Sequence, residues 1–154
     1  MLYSKVVQTS FYASGFLYSL KNHRILLIQK RQKNDLASIW SMLGGEGKEG
    51  EEAHLAFQRI IYKLLNIKVK QIYPIYDYFH ETKDKVNYVF YAEVGTAKAY
   101  NTPRGDILSW FAFSEISKLP FSPQTKQDII VGERVINAKW RADEAKKEEL
   151  VMTP

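Results

Sequence analysis

Glycines crowd a short stretch in the first third of the chain, directly before a helix-forming segment. They are Gly44, Gly45, Gly47 and Gly50. Glycine adopts backbone angles that are closed to other residues, so this density predicts a loop with an unusual path over residues 44–50. Glu51 and Glu52 follow, where negative charge is favourable at the N-terminus of a helix. The pattern therefore predicts a helix from about residue 52 to residue 65, held at its start by a tight loop.

Apolar segments with the length of strands lie on both sides of this loop and helix. Strands are predicted over residues 11–20, 25–29, 71–79, 86–94 and 108–113. Ser122 and Pro123 form a favourable cap and first-turn pair, so a second, long helix is predicted from there to about residue 149. Strands that alternate with two helices predict an α/β fold with a mixed sheet.

Composition limits the class of protein. The chain has 154 residues, of which 45% are hydrophobic and 14% aromatic, and this suits one domain over residues 1–154 with a full core. Because cysteine is absent, thiolate metal sites and thiol nucleophiles are excluded. The net charge of +5 favours an anionic partner, with RNA among the candidates, although the same charge can simply aid solubility.

The apolar N-terminal region does not predict a membrane segment. Polar residues interrupt residues 5–20, at Tyr12, Ser14, Tyr18 and Ser19, and this argues against a signal peptide. No stretch approaches the length of a membrane span. We therefore expect a soluble, cytoplasmic protein with no membrane partner.

Three residues around the predicted loop and helix have a recognisable spacing. Gly45 is followed after five residues by Glu51, and Glu51 after seven residues by Arg59. This frame resembles the Nudix box of the MutT-like Nudix hydrolases. In that family three glutamates follow the arginine, but the corresponding positions here are Ile60, Lys63 and Leu64. The chain thus resembles a Nudix protein with a degenerate box.

The resemblance extends over most of the chain, about residues 9–135. Residues 24–31 resemble the family's second strand with its basic end, and residues 39–45 the segment that leads into the box. Residues 110–116 and 119–120 resemble the closing strand and the turn before the final helix. It implies a Nudix-like mixed sheet sandwiched between helices, with a C-terminal helical extension at about residues 123–149.

The lost glutamates bear directly on the chemistry that the resemblance implies. Nudix hydrolases hold magnesium with glutamates on one face of this helix, and residues 60, 63 and 64 project together. Aliphatic groups cannot hold a hard cation, and an ammonium group repels it. Glu51 and Arg59 remain as catalytic remnants, and Glu51 with Glu49 could form a weak magnesium site, if any ion binds. The alternative is that Glu51 and Glu52 favour the helix dipole and that Arg59 pairs with one of them.

The candidate substrate-binding residues are cations and glycines, namely Lys30, Arg31, Gly44, Gly45 and Lys63. Lys63 could neutralise a phosphate where the metal would sit, or it could be an ordinary solvated lysine. Lys30 and Arg31 follow a strand whose counterpart in relatives often contacts substrate phosphates, yet such residues are more often plain surface.

Three functions remain open. The first is a nucleotide-binding or interaction module with impaired hydrolysis, which binds a nucleotide or another phosphate-bearing ligand. The second is an active magnesium-dependent pyrophosphohydrolase that uses Glu49, Glu51 and a carboxylate near Asp106. The third is an RNA-binding or scaffold protein, based on the positive charge and on strand aromatics such as Tyr76 and Tyr78.

Ile60 and Leu64 also widen the apolar face of the predicted helix. We expect that face to be covered, either by residues 125–140 of the second helix or by a second copy of the chain in a homodimer.

Overall fold

A computed structural model of the chain describes residues 10–30, 38–102 and 105–152. The strands in these ranges are β1 (Tyr12–Ser19), β2 (Arg24–Gln29), β3 (Trp40–Ser41), β4 (Leu43–Glu46), β5 (Gln71–His80), β6 (Lys85–Val94) and β7 (Ile107–Ala112). The helices are α1 (Ala53–Leu65), a 3-10 helix (Phe113–Lys118) and α2 (Pro123–Met152). The predicted helices and longer strands are confirmed to within two residues at most ends.

The described strands form one mixed sheet. Its main order is β3-β2-β1-β6-β5, with β7 paired to β2 and β4 paired to β1. Strands β1 and β6 are parallel along their whole shared length, whereas the other pairs are antiparallel. Since β6 occupies one edge of β1, β4 and β2 must share the other edge. The sheet therefore splits along β1, and the glycine segment lies at that split.

The predicted loop at residues 44–50 is partly wrong. Gly44 and Gly45 lie in β4, opposite Ser14 and Ala13 of β1. Glycine has a low strand propensity, and only the pairing with β1 makes this segment a strand. Likewise, residues 113–116, which were expected to close a strand, form the first part of the 3-10 helix.

Both faces of the sheet are covered by a helix. In β2, Leu26 and Ile28 pack with the core beneath α1, while Ile25 and Leu27 pack with the core beneath α2. Successive strand residues point to opposite faces, so a continuous apolar run is what a strand buried on both sides requires. The expected sheet between helices is confirmed.

Helix α1 packs on the first face of the sheet through an apolar side. Its buried residues are Ala56, Phe57, Ile60, Ile61 and Leu65. The helix ends at Leu65 and is capped by Asn66, whose φ of 58° is left-handed and whose N–H donates to the Tyr62 carbonyl at 2.8 Å. Burying each large aliphatic side chain contributes roughly 1.5–3 kcal/mol, so this face dominates the stability of α1.

Helix α2 packs on the opposite face. Its N–H at Thr125 donates to the Ser122 hydroxyl at 3.2 Å, as the predicted cap requires. Ile129 and Ile136 are buried, and a Cβ built on Gly132 would lie 2.9 Å from the Phe16 ring, so glycine allows close packing there. Beyond Ile136 the helix is largely exposed.

A buried polar network fastens α2 to the sheet. Asp128 is only 2% exposed, and it accepts hydrogen bonds from the hydroxyls of Tyr76 and Tyr78 and from the Gln124 amide. Asn87 donates to the Tyr78 hydroxyl at 2.9 Å. Burial raises the pKa of the Asp128 carboxyl, although the hydrogen bonds that it accepts oppose this shift. The two tyrosines therefore have a structural partner, which weakens their suggested role in stacking on a base.

The cover expected over Ile60 and Leu64 is also different. The apolar residues of α2 belong to the core on the other face of the sheet, so residues 125–140 do not provide it. Ile60 is 9% exposed and Leu64 is half-buried, and both pack within the core beneath α1. An apolar helix face indicates burial but not the side of the sheet on which the helix lies.

Candidate functional site

Arg59 and Glu51 join helix α1 to the loop before it. Arg59 donates from Nε to Glu51 Oε2 at 2.8 Å and from Nη2 to Glu51 Oε1 at 3.0 Å. Arg59 Nη2 also donates to the Glu46 carbonyl at 2.9 Å, and the Lys48 N–H donates to Glu51 at 3.0 Å. The bidentate pairing with Arg59 lowers the pKa of Glu51 to about 2. These two box remnants thus form a clamp on the loop.

Gly44 and Gly45 allow the glycine segment to lie close to its neighbours. A Cβ on Gly44 would be 2.9 Å from the Ala13 carbonyl oxygen. A Cβ on Gly45 would be 3.2 Å from the end of the Ile60 side chain, so Ile60 lies directly against the bare backbone. The contact with Gly45 contributes to the burial of Ile60.

A cleft of about 550 Å³ opens beside this segment. Its walls come from β2, β4, the α1 face at Ile60, Lys63 and Leu64, and the segment before β7 at Thr102 and Asp106. Its charged lining residues are Lys30, Glu46, Arg59, Lys63 and Asp106. We call this surface the cleft.

The cleft contains four of the predicted substrate-binding residues, namely Lys30, Gly44, Gly45 and Lys63. Arg31 lies outside the described residues. Arg59 also lines the cleft, whereas its partner Glu51 does not. Glu49 is exposed in the turn before α1 and does not line the cleft. The frame of the box therefore predicts which helix face opens into the cleft. It does not predict which carboxylates line the cleft.

The two carboxylates that reach the cleft are Glu46 and Asp106. Glu46 pairs with Lys85, whose Nζ donates to Glu46 Oε2 at 2.7 Å. Asp106 follows the turn in which the Thr102 hydroxyl donates to the Asp106 carbonyl at 2.9 Å. Three cationic residues also line the cleft, so the lining carries a small excess of positive charge.

Magnesium, which the resemblance implies, does not fit the donor set of this cleft. Within residues 10–30, 38–102 and 105–152, no three His, Asp or Glu side chains are grouped so that they could hold a metal ion. Glu51 is committed to Arg59 by two hydrogen bonds, and Glu46 is paired with Lys85. The α1 face presents an ammonium and two aliphatic groups, and none of these coordinates a hard cation.

Sequence reasoning missed the structural roles of Thr102 and Asp128. Thr102 comes to the cleft by tertiary approach alone, and no local pattern marks it. Asp128 had a detectable signal, because it shares one helix face with the buried Gly132 and Ile136 at spacings of four and eight residues. A lone carboxylate on an apolar helix face indicates a buried polar partner on the surface beneath it.

Neither protein-family models nor curated protein sequences yield a match to the chain. Within the described ranges, no helix has both the length and the apolar character needed to cross a membrane.

Solved structures are nevertheless similar in fold. The MutT protein from Methanosarcina mazei Go1 superposes with a TM-score of 0.62 at 14% identity, over 87% of this chain and 97% of that one. A Nudix-family hydrolase from Clostridium perfringens gives a TM-score of 0.63 at 16% identity, over 82% and 96%.

A third similar structure contains a ligand. The Nudix domain of Shewanella oneidensis NrtR, complexed with ADP-ribose, gives a TM-score of 0.61 at 14% identity, over 85% and 89% of the two chains. Together with the split mixed sheet, the helix on each face and the Gly45-Glu51-Arg59 frame, these likenesses show that the chain has the Nudix fold.

Proposed function

We propose that the chain is a Nudix-fold nucleotide-binding protein that has lost metal-dependent hydrolysis. Its ligand is a nucleoside diphosphate linked to a further group, with ADP-ribose as the first candidate. One observation carries this proposal: the α1 face that opens into the cleft presents Ile60, Lys63 and Leu64, without a carboxylate.

The charges of the cleft support direct binding of phosphates. A pyrophosphate carries two or more negative charges, and its binding requires cations or backbone N–H groups nearby. Lys63 and Lys30 line the cleft, and neither forms an ion pair with a carboxylate among the described residues. Lysine is a point charge with three donors, so it can neutralise a phosphate without a metal. Arg59, in contrast, already donates from Nε and Nη2 to Glu51 and to the Glu46 carbonyl.

The similar structure of the NrtR Nudix domain supports the choice of probe, because that domain is complexed with ADP-ribose. The cleft volume of about 550 Å³ lies within the roughly 300–1,000 Å³ that is usual for small-molecule sites. A ligand with two phosphates could therefore place them beside Lys63 and Lys30 with its remaining groups along β4.

The rival function is a magnesium-dependent hydrolase that uses unusual carboxylates. Glu46 and Asp106 are its best candidates, since both line the cleft, whereas Glu49 does not. The ion pair of Glu46 with Lys85 disfavours this alternative, because a metal would have to displace the lysine.

Calorimetric titration with ADP-ribose separates the two functions. We expect binding in EDTA that is at least as tight as in millimolar magnesium, because the metal would neutralise the phosphates that the lysines recognise. Lys63→Ala should weaken binding about tenfold or more, since a charge-assisted hydrogen bond contributes roughly 1.5–3 kcal/mol. Lys126→Ala, at an exposed lysine on α2, is the matched control and should leave the affinity unchanged.

Product analysis under the same conditions tests the loss of hydrolysis. We expect turnover near the background rate. Turnover of about one per second or more, which is typical of enzymes, would reject the proposed loss of hydrolysis. Binding that requires magnesium, or that Lys63→Ala does not weaken, would reject the binding site.

A further inference from the structure

A second concave surface lies apart from the cleft, and we call it the lysine groove. It has a volume of about 400 Å³ and lies between residues 67–71, which follow α1, and residues 93–100 at and beyond the end of β6. None of its lining residues lines the cleft. The groove is therefore a separate candidate site, and its occupation does not depend on the function proposed for the cleft.

The groove has an excess of positive charge. Lys68, Lys70 and Lys98 line it and are exposed, and within the described part of the chain they form no ion pair. Glu93 is its acidic side chain, and it is paired with Lys139 on α2 at 3.8 Å. Three lysines on one concave surface give it a local positive charge, so an anion is favoured there.

The floor of the groove is apolar. Val69 is 3% exposed, while Ile67, Val94 and Tyr100 are half-buried and pack against the core beneath α1. An inorganic anion would gain nothing from such a floor. A ligand that combines an anionic group with a flat apolar group would use both the lysines and the floor.

Gly95 leaves space within the groove. It lines the groove, and a Cβ built on it would meet no atom within 4 Å. Its φ is not left-handed, so a larger residue could replace it without backbone strain. This position therefore allows a test of the groove by shape alone, with no change of charge.

We propose that the lysine groove is a second ligand site, which binds a small phosphate ester with an aromatic group, of the size of a nucleoside monophosphate. The phosphate would lie among Lys68, Lys70 and Lys98, and the aromatic group would lie on the floor beside Tyr100. Lysines suit phosphate as point charges with several donors, and aromatic stacking is tolerant of the identity of the base.

Amide chemical-shift titration with adenosine monophosphate at low ionic strength tests this site. We expect saturable shifts at Val69, Lys70, Gly95 and Thr96, and binding at least tenfold tighter than that of inorganic phosphate. The triple variant Lys68→Ala, Lys70→Ala and Lys98→Ala should weaken binding tenfold or more. The matched control, Lys118→Ala with Lys126→Ala and Lys146→Ala, removes the same charge from exposed lysines elsewhere and should change it less than twofold.

Gly95→Leu should also weaken binding tenfold or more while leaving the net charge unchanged. Lys63→Ala in the cleft should leave the groove shifts intact, and this separates the two sites. Three results would overturn the groove site: no shifts there up to about 10 mM nucleotide, equal weakening by the two triple variants, or equal affinity for phosphate and nucleotide. Tighter binding of single-stranded oligonucleotides that grows with their length would overturn the small-ligand assignment in favour of nucleic acid.

Discussion

Replacing Ile60 with glutamate tests whether the buried side of α1 can accept a carboxylate. Ile60 is 9% exposed and lies against the backbone of Gly45. Full burial of an isoleucine side chain contributes roughly 1.5–3 kcal/mol, and most of that would be lost on substitution. The introduced carboxylate would also be incompletely hydrated, although the neighbouring cleft gives it partial access to water. We therefore expect Ile60→Glu to destabilise the fold by about 3–4 kcal/mol.

Urea denaturation measures this effect. With a slope of roughly 2 kcal/mol per molar urea, the unfolding midpoint should fall by about 1.5–2 M. Ile60→Gln removes the apolar side chain without the charge, so it should lose only about 2 kcal/mol. Lys63→Glu, at an exposed position on the same face, should stay within about 0.5 kcal/mol of the unchanged protein.

The pH dependence separates charge from shape. Burial raises the pKa of a carboxyl group, so the folded Ile60→Glu variant binds its proton more tightly than the unfolded chain does. Its stability should therefore fall as pH rises through the folded pKa, and Ile60→Glu and Ile60→Gln should converge near pH 4 and diverge at neutral pH. If Ile60→Glu were as stable as Lys63→Glu at pH 7, the conclusion that burial at position 60 excludes a charged carboxylate would be wrong.

Two further predictions concern groups that the cleft does not use. Asp128→Ala should lower the free energy of unfolding by about 2–4 kcal/mol in urea denaturation, because it leaves the hydroxyls of two tyrosines without their acceptor. The control Asp143→Ala, at an exposed position, should lower it by no more than about 0.5 kcal/mol. Equal effects of the two substitutions would reject the role of the network. Glu51 has a pKa of about 2 against an ordinary value of 4.5, so the stabilisation from its pairing with Arg59 is complete above pH 4.5 and is lost as pH falls towards 2. In Arg59→Gln, NMR titration of the Glu51 carboxyl should give a midpoint closer to 4.5. A midpoint near 4.5 in the unchanged protein would contradict the clamp.

Local patterns predicted the elements that local forces define. Helix α1 was predicted within one residue because its apolar spacing and its start and stop residues all lie in the segment itself. Strand β2 was predicted because a strand buried on both faces is apolar throughout. Strand β4 was not, because its glycines become a strand only by pairing with β1 residues that lie 28 to 34 positions earlier in the chain.

The features of the site also differ in whether they depend on one segment of the chain or on tertiary packing. Helix geometry predicted that residues 60, 63 and 64 share one face, and the resemblance to the Nudix box implied that this face and the glycine segment line one site. The pairing of Glu46 with Lys85 joins β4 to β6 and depends on the strand order. The lysine groove is formed by two segments that meet only after the sheet and α1 have packed together. No sequence period encodes such a meeting.

The buried carboxylate of Asp128 also determines how α2 can sit on the sheet. Apolar contacts alone tolerate sliding, because one aliphatic side chain can replace another in a similar hollow. A shift of one residue, however, would move Asp128 by about 1.5 Å along the helix and turn it by about 100°. That shift would separate the buried carboxylate from the hydroxyls of Tyr76 and Tyr78, and both tyrosine hydroxyls would lose their acceptor. The network therefore selects one register of α2 among several that hydrophobic packing would accept.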